Sequence, residues 1–121
     1  MAGTVTIEGD QVVFELHGAD RLLAGKKSLA VPFEHIKSVS TENADWGPVS
    51  HPQGTGSSIP GRVKDGSFPT SDGLTFFEMH HPDKCVTVTL EDEKYQKIIF
   101  EVDDKEATAE LIKAAIGQRT F

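Results

Sequence analysis

Apolar residues alternate with polar ones along most of this chain, and the period of that pattern changes only once, near the C-terminus. Val5 and Ile7, then Val12, Phe14 and Leu16, then Leu29, Val31 and Phe33 stand at every second position. Successive side chains of a strand point to opposite faces, so each segment reads as a half-buried strand. The pattern resumes over residues 74–79. It is cleanest where Val86, Val88 and Leu90 enclose Thr87 and Thr89, and it recurs at Ile98, Phe100 and Val102. The spacing then becomes helical, with Ala107, Leu111, Ile112, Ala115 and Ile116 on one stripe. Strands followed by a single helix, with no alternation of the two, exclude a doubly wound parallel sheet. The predicted fold is mainly β, with six or seven antiparallel strands and one C-terminal α-helix.

Turn residues divide these segments. Gly9-Asp10 fits a two-residue hairpin turn. Ala19–Ala24 reads as one short helical turn closed by Gly25. Pro32 cannot donate to a central ladder, so its strand is placed at an edge or a bulge. Ser71-Asp72-Gly73 supplies the turn before residues 74–79. The last helix is predicted over 103–117, capped by Asp103 with Glu106 three residues on and stopped by Gly117. Residues 41–73 differ from the rest. Fifteen of them, 47–61, include four Gly, three Pro and three Ser. That composition reads as a long loop, either a connector or a binding loop, with one short strand near residues 62–68.

A chain of 121 residues is one domain, spanning 1–121. Its net charge of −7 disfavours phosphate backbones and anionic lipid as general partners, so no nucleic acid is expected and membrane binding is disfavoured. The acidity is concentrated in residues 78–106, where nine acids face four bases. A solvated sheet edge and its turns account for it. The single cysteine, Cys85, cannot form an internal disulfide. The longest apolar runs are three residues, far below the ~20 of a spanning helix. Met1-Ala2-Gly3-Thr4 has neither a basic start nor a hydrophobic segment. These features point to the cytoplasm.

Leu29-Ala30-Val31-Pro32-Phe33-Glu34-His35-Ile36-Lys37-Ser38-Val39 resembles a strand of bacterial pleckstrin-homology-like (PH-like) domains, in which Pro is followed by a polar pair, then Ile, then Val. The run from Tyr95 to Asp104, passing into residues 105–116, resembles their last strand and helix. Ser58-Ile59-Pro60-Gly61 and Gly66-Ser67-Phe68 are similar to a small-residue segment of uncharacterised bacterial PH-like proteins. The resemblance implies a partly open antiparallel barrel capped by the helix, in a bacterial cytoplasm. It implies no reaction, because that fold serves lipid, peptide and protein binding alike. Phosphoinositide-binding members carry basic residues between the first strands, and Arg21, Lys26 and Lys27 fall near that region. The usual lysine and spaced arginine pair are missing.

No motif announces a reaction. Of the five histidines, His80 and His81 form the densest group, with Asp83. Adjacent residues of a strand face apart, so the two rings are not expected to share a metal there, though one of them could do so with Asp83 after the turn at Pro82. Glu34 and His35 meet the same objection. No metal and no cofactor is assigned. Cys85 opens an alternating strand and reads as an inert, half-buried thiol. Gly54-Thr55-Gly56-Ser57-Ser58 lacks the ending of a phosphate-binding loop. No Gly-x-Ser-x-Gly elbow occurs. Trp46 is either an interaction anchor or a plug for the open end of the barrel. Phe76 and Phe77 should face opposite ways, and an outward Phe77 would contribute to an apolar contact patch. The expected function is therefore a noncatalytic binding module that recognises a protein partner or its own copies through Trp46, Phe77, Arg21, Lys26 and Lys27. A small-ligand or metal-binding protein or enzyme, with its pocket under residues 41–73, is the alternative.

Overall fold

The computed structural model describes residues 3–46, 54–59 and 61–117. Among these the chain forms β1 (Thr4–Glu8), β2 (Gln11–Glu15), α1 (Ala19–Ala24), β3 (Ser28–Pro32), β4 (Ile36–Ser40), β5 (Thr55–Ile59), β6 (Val63–Thr70), β7 (Gly73–Met79), β8 (Cys85–Leu90), β9 (Lys97–Glu101) and α2 (Lys105–Gly117). Two 3-10 turns, Phe33–His35 and Pro82–Lys84, join β3 to β4 and β7 to β8. The fold is mainly β with one C-terminal helix, as the change of period predicts. It has nine described strands rather than six or seven.

The strands make two separate sheets, β1-β2-β3 and β4-β8-β9-β7-β6-β5. Gly9 and Asp10 form the β1–β2 turn, with Gly9 at φ 62°. Pro32 does lie on an edge strand, where it pairs with Gln11. The stretch from Leu29 to Val39 is not one strand, however. It leaves the small sheet at Phe33 and enters the large one at Ile36. The order is also not a simple antiparallel meander. β9 lies between β7 and β8 and runs parallel to β7, with Phe76 opposite Ile98 and Glu78 opposite Phe100. Alternation shows which face a residue takes, but not the direction of its neighbour.

The strand expected near 62–68 is present and longer, as β6, but the reading of the rest as loop fails for residues 55–59, which pair with β6 in a hairpin. Residues 47–53 lie outside the described residues. The small residues are what let this hairpin close. Gly56 and Gly66 are directly paired, at φ 134° and 133°. A Cβ on Gly56 would sit 2.1 Å from the Asp65 carbonyl oxygen, and one on Gly66 would sit 2.1 Å from that of Thr55. Composition alone hides this, because glycine normally weakens a strand and here permits close backbone approach.

The main core lies between the sheets and under α2. Val12, Phe14, Phe76, Ile98, Phe100 and Ile112 are all fully buried there. Each such side chain contributes about 1.5–3 kcal/mol through burial. The opposite face of the large sheet carries a second core of Phe68, Phe77, Met79 and Cys85, covered by Ala44 and Trp46. Phe76 and Phe77 therefore do face apart, but Phe77 is buried rather than outward. It belongs to no exposed patch. α2 is capped by Asp104, whose carboxylate accepts from the Ala107 amide at 3.0 Å. Its buried side is Ala109, Ile112 and Ala115. The expected cap, Asp103, is one residue early, and the expected stripe members Ala107 and Leu111 are exposed. No helix among the described residues is long and apolar enough to cross a membrane.

Candidate functional site

The chemistry of this protein is concentrated where α1 covers the large sheet. Gly18, at φ 59°, turns the chain out of the small sheet, and Gly25, at φ 73°, ends the helix in the left-handed region. Both values suit glycine, which has no Cβ to clash. A bond from the Leu16 amide to the Lys27 carbonyl closes the excursion. The short helix packs on β5, β6 and β7. That docking turns Asp20 inward, where it is 2% exposed.

Beneath Asp20 lie Asp65 and Glu78, which are directly opposed in the β6–β7 register and therefore share a face. That is the face on which Phe76 enters the main core, two residues before Glu78 along β7. Both carboxyl groups have no solvent exposure. His80, just beyond β7, completes the group, with Nε2 2.6 Å from Asp20 Oδ1 and 3.9 Å from Asp65 Oδ2. One ligand-type atom from each of the four residues lies within 4.8 Å of the others.

Each buried carboxyl is held by one oxygen only. The Met79 amide donates to Asp65 Oδ1 at 3.2 Å, and the Glu101 amide donates to Glu78 Oε1 at 3.3 Å. Among the described residues, the second oxygens, Asp65 Oδ2 and Glu78 Oε2, have no hydrogen-bond partner outside the acid group. Buried polar atoms are nearly always satisfied, so two such oxygens in one place call for an explanation. In the protein alone a proton supplies it. Burial pushes the Asp65 carboxyl up to about 8 and the Glu78 carboxyl up to about 10, with the Asp20 charge adding to both. Burial also acts to raise Asp20, but hydrogen bonds from Asp65, Glu78 and His80 outweigh it and hold Asp20 below its ordinary value. Asp20 is thus the anion of the group, and its two neighbours carry protons toward it. This reconciles two oxygens that lack ordinary donors with hydrogen bonding among the acids, because one carboxyl can bond another only through a proton.

Glu101 closes the outer side. Its Oε1 accepts from the amides of His80 at 2.7 Å and His81 at 2.5 Å, and its Oε2 lies 3.0 Å from His81 Nδ1. His80 and His81 lie just beyond β7 rather than in a strand, yet they do turn apart, His80 to Asp20 and His81 to Glu101, and Asp83 joins neither. The ligand set near His80 comes instead from Asp20, Asp65 and Glu78, which sequence reading missed. One signal was available. Glu78 interrupts the run Phe76, Phe77, Met79 in a strand whose neighbours are all buried. Asp20 and Asp65 carry no comparable mark.

The residues singled out from the sequence fall in two places. Arg21, Lys26 and Lys27 come together with Gly18 and Gly25 around an open cleft of ≈ 530 Å³ on the outer side of α1. Trp46 and Phe77 belong to the second core. Trp46 is half-buried, and its carbonyl accepts from Lys64 Nζ at 2.8 Å. That ammonium stands 4.2 Å from the Phe77 ring centre, within cation–π range. Burial lowers the pKa of Lys64, partly opposed by Asp45. Cys85 is fully buried on the same face, and desolvation raises its thiol far above the ordinary range. His51 lies outside the described residues. Comparison of the chain with family models, curated proteins and solved structures finds no match in any of the three.

Proposed function

We propose that this protein is a noncatalytic binding module, PH-like in kind, which recognises a cationic ligand at the α1 end of its sandwich. The observation that carries this reading is the pair of buried, inward-aimed oxygens on Asp65 and Glu78. Among the described residues no N–H donor reaches either oxygen, so a cation that displaces their protons gains two buried ligand atoms. Supporting it, Asp20 adds a full negative charge and His80, 29% exposed in its side chain, stands at the margin of the group. Cys85, a potential nucleophile, is buried in the second core on the opposite face of the sheet, where desolvation and the nearby acids keep it a neutral thiol. The PH-like assignment rests on the two open sheets, the C-terminal helix and the motif resemblance. Docking of a protein partner through Trp46 and Phe77 draws less support, since Phe77 is buried and Trp46 packs against its cluster.

The test is an amide-resolved NMR titration with metal cations, amines, acidic and basic peptides, and small anions. Perturbations from a cationic ligand should centre on residues 18–21, 64–66 and 78–81. Saturable binding of ligands only at other surfaces would overturn the assignment.

A further inference from the structure

The acid cluster has a more specific use than attraction of positive charge. We infer that Asp20, Asp65, Glu78 and His80 form a coordination site for one divalent transition-metal cation, of the Zn²⁺ or Mn²⁺ class, seated between α1 and the β6–β7 ladder. This inference rests on the reading of the α1 end as a cation-binding site and names the cation.

Three features favour a metal over an ammonium group. The first is room. The three carboxylates are at most 2% exposed, and four ligand-type atoms lie within 4.8 Å of one another. A bare ion needs no more space than that, whereas an ammonium group brings its alkyl stem with it. The second is the donor set. Three carboxylate oxygens with one imidazole nitrogen suit first-row transition cations, whereas Mg²⁺ and Ca²⁺ prefer oxygen alone. The third is preorganisation. The Met79 amide holds Asp65 and the Glu101 amide holds Glu78, each by the oxygen that points away from the centre. Outer-shell bonds of this kind orient metal ligands and leave the inner atoms free. Glu101 sits behind the group, tied to the His80 and His81 amides, and reinforces the negative field without entering it. The four ligands also come from three separate elements. An ion bound here would therefore fasten α1, which belongs to the small sheet, onto the large one.

The metal-free full chain should be titrated with Zn²⁺ and with Mn²⁺ by calorimetry, and with Mn²⁺ by NMR line broadening. We expect one saturable site per chain, and Mn²⁺ broadening strongest at residues 20, 65 and 78–80. Asp65→Asn and Glu78→Gln keep the shape of the neutral acids and should still fold. Each should weaken binding at least tenfold. His81→Ala removes an exposed imidazole outside the group and should leave affinity unchanged. Absence of saturable binding for both cations would overturn the inference, as would binding abolished by His81→Ala but retained in the Asp65→Asn/Glu78→Gln double variant. If metals fail while an amine or basic peptide perturbs residues 18–21 and 78–81, only the metal assignment falls. If no cationic ligand acts there, the binding reading falls with it.

Discussion

Asp65 and Glu78 face each other across the β6–β7 ladder, each fixed by one backbone amide and each with its other oxygen directed at Asp20. Two acids at directly opposed positions of a buried ladder repel unless a proton or a cation stands between them. Without metal, the protein must keep protons there. Replacing Glu78 with the isosteric amide removes that requirement and retains a donor for Asp20. Glu78→Gln should therefore raise the stability of the metal-free protein at pH 8 by about 1 kcal/mol. Urea denaturation in the presence of a chelator measures it. A clear loss of stability would mean that the Glu78 carboxyl is ionised and held by a donor.

The same acids set the pH dependence of the metal-free fold. Asp65 and Glu78 have folded-state values raised above their unfolded ones, so between those values the folded chain binds more protons than the unfolded chain. Stability then falls as pH rises, from near pH 4 through about 8 for Asp65 and about 10 for Glu78. Asp20 has the opposite sign, with stability lost only as pH falls below its ordinary range. His35 acts in the same direction as the buried acids. Its hydrogen bond to Glu93, at 2.5 Å, raises it against partial desolvation, with Glu34 3.9 Å away assisting. Its contribution is present below pH 6.5 and lost as pH rises through the folded value. Thermal midpoints measured with a chelator should therefore be higher at pH 5 than at pH 8.5. A flat or rising profile would contradict protonated acids under α1.

Much of the fold was legible because it rests on local periodicity. Val86, Val88 and Leu90 face inward as their spacing demands, the Gly9-Asp10 turn lies where two strands need one, and Gly25 ends α1. What stayed hidden depends on neighbours distant in sequence. The parallel pairing of β7 with β9 leaves no trace in either strand. Strand β5, Thr55–Ile59, has no apolar alternation and exists because Gly66 accepts Gly56 against it. The candidate site was hidden for the same reason. Its four side chains span residues 20 to 80 and meet only through the β6–β7 register and the docking of α1. The basic trio Arg21, Lys26 and Lys27 is legible because it is local in sequence, in and just after one short helix.

The Gly56–Gly66 pair gives a sharp test of that hairpin. Either residue carrying a methyl would place its Cβ 2.1 Å from a backbone carbonyl oxygen and 2.8 Å from the opposite Cα. Backbone atoms cannot move aside as the end of a side chain can, and the positive φ adds strain. Gly56→Ala and Gly66→Ala should each cost on the order of 3 kcal/mol. Amide exchange should show the loss centred on β5 and β6. A cost under about 0.5 kcal/mol, the level of an ordinary surface change, would mean that the two strands do not approach this closely.

The C-terminal helix allows a comparison within one turn. Ile112 is fully buried against the main core, whereas its neighbour Leu111 is 43% exposed. Ile112→Ala leaves a cavity between the sheets and should cost about 2–5 kcal/mol. Leu111→Ala should cost less than about 1 kcal/mol, since much of that side chain is already in water. At the start of the helix, Asp104 satisfies the Ala107 amide, and Asp104→Ala should lose about 1 kcal/mol. Asp103 is exposed and stands one residue before the cap, so Asp103→Ala should be close to neutral. The four variants can be ranked by chemical denaturation. If Leu111 proved costlier than Ile112, or Asp103 costlier than Asp104, the helix would have to be rotated or shifted by one residue from this arrangement.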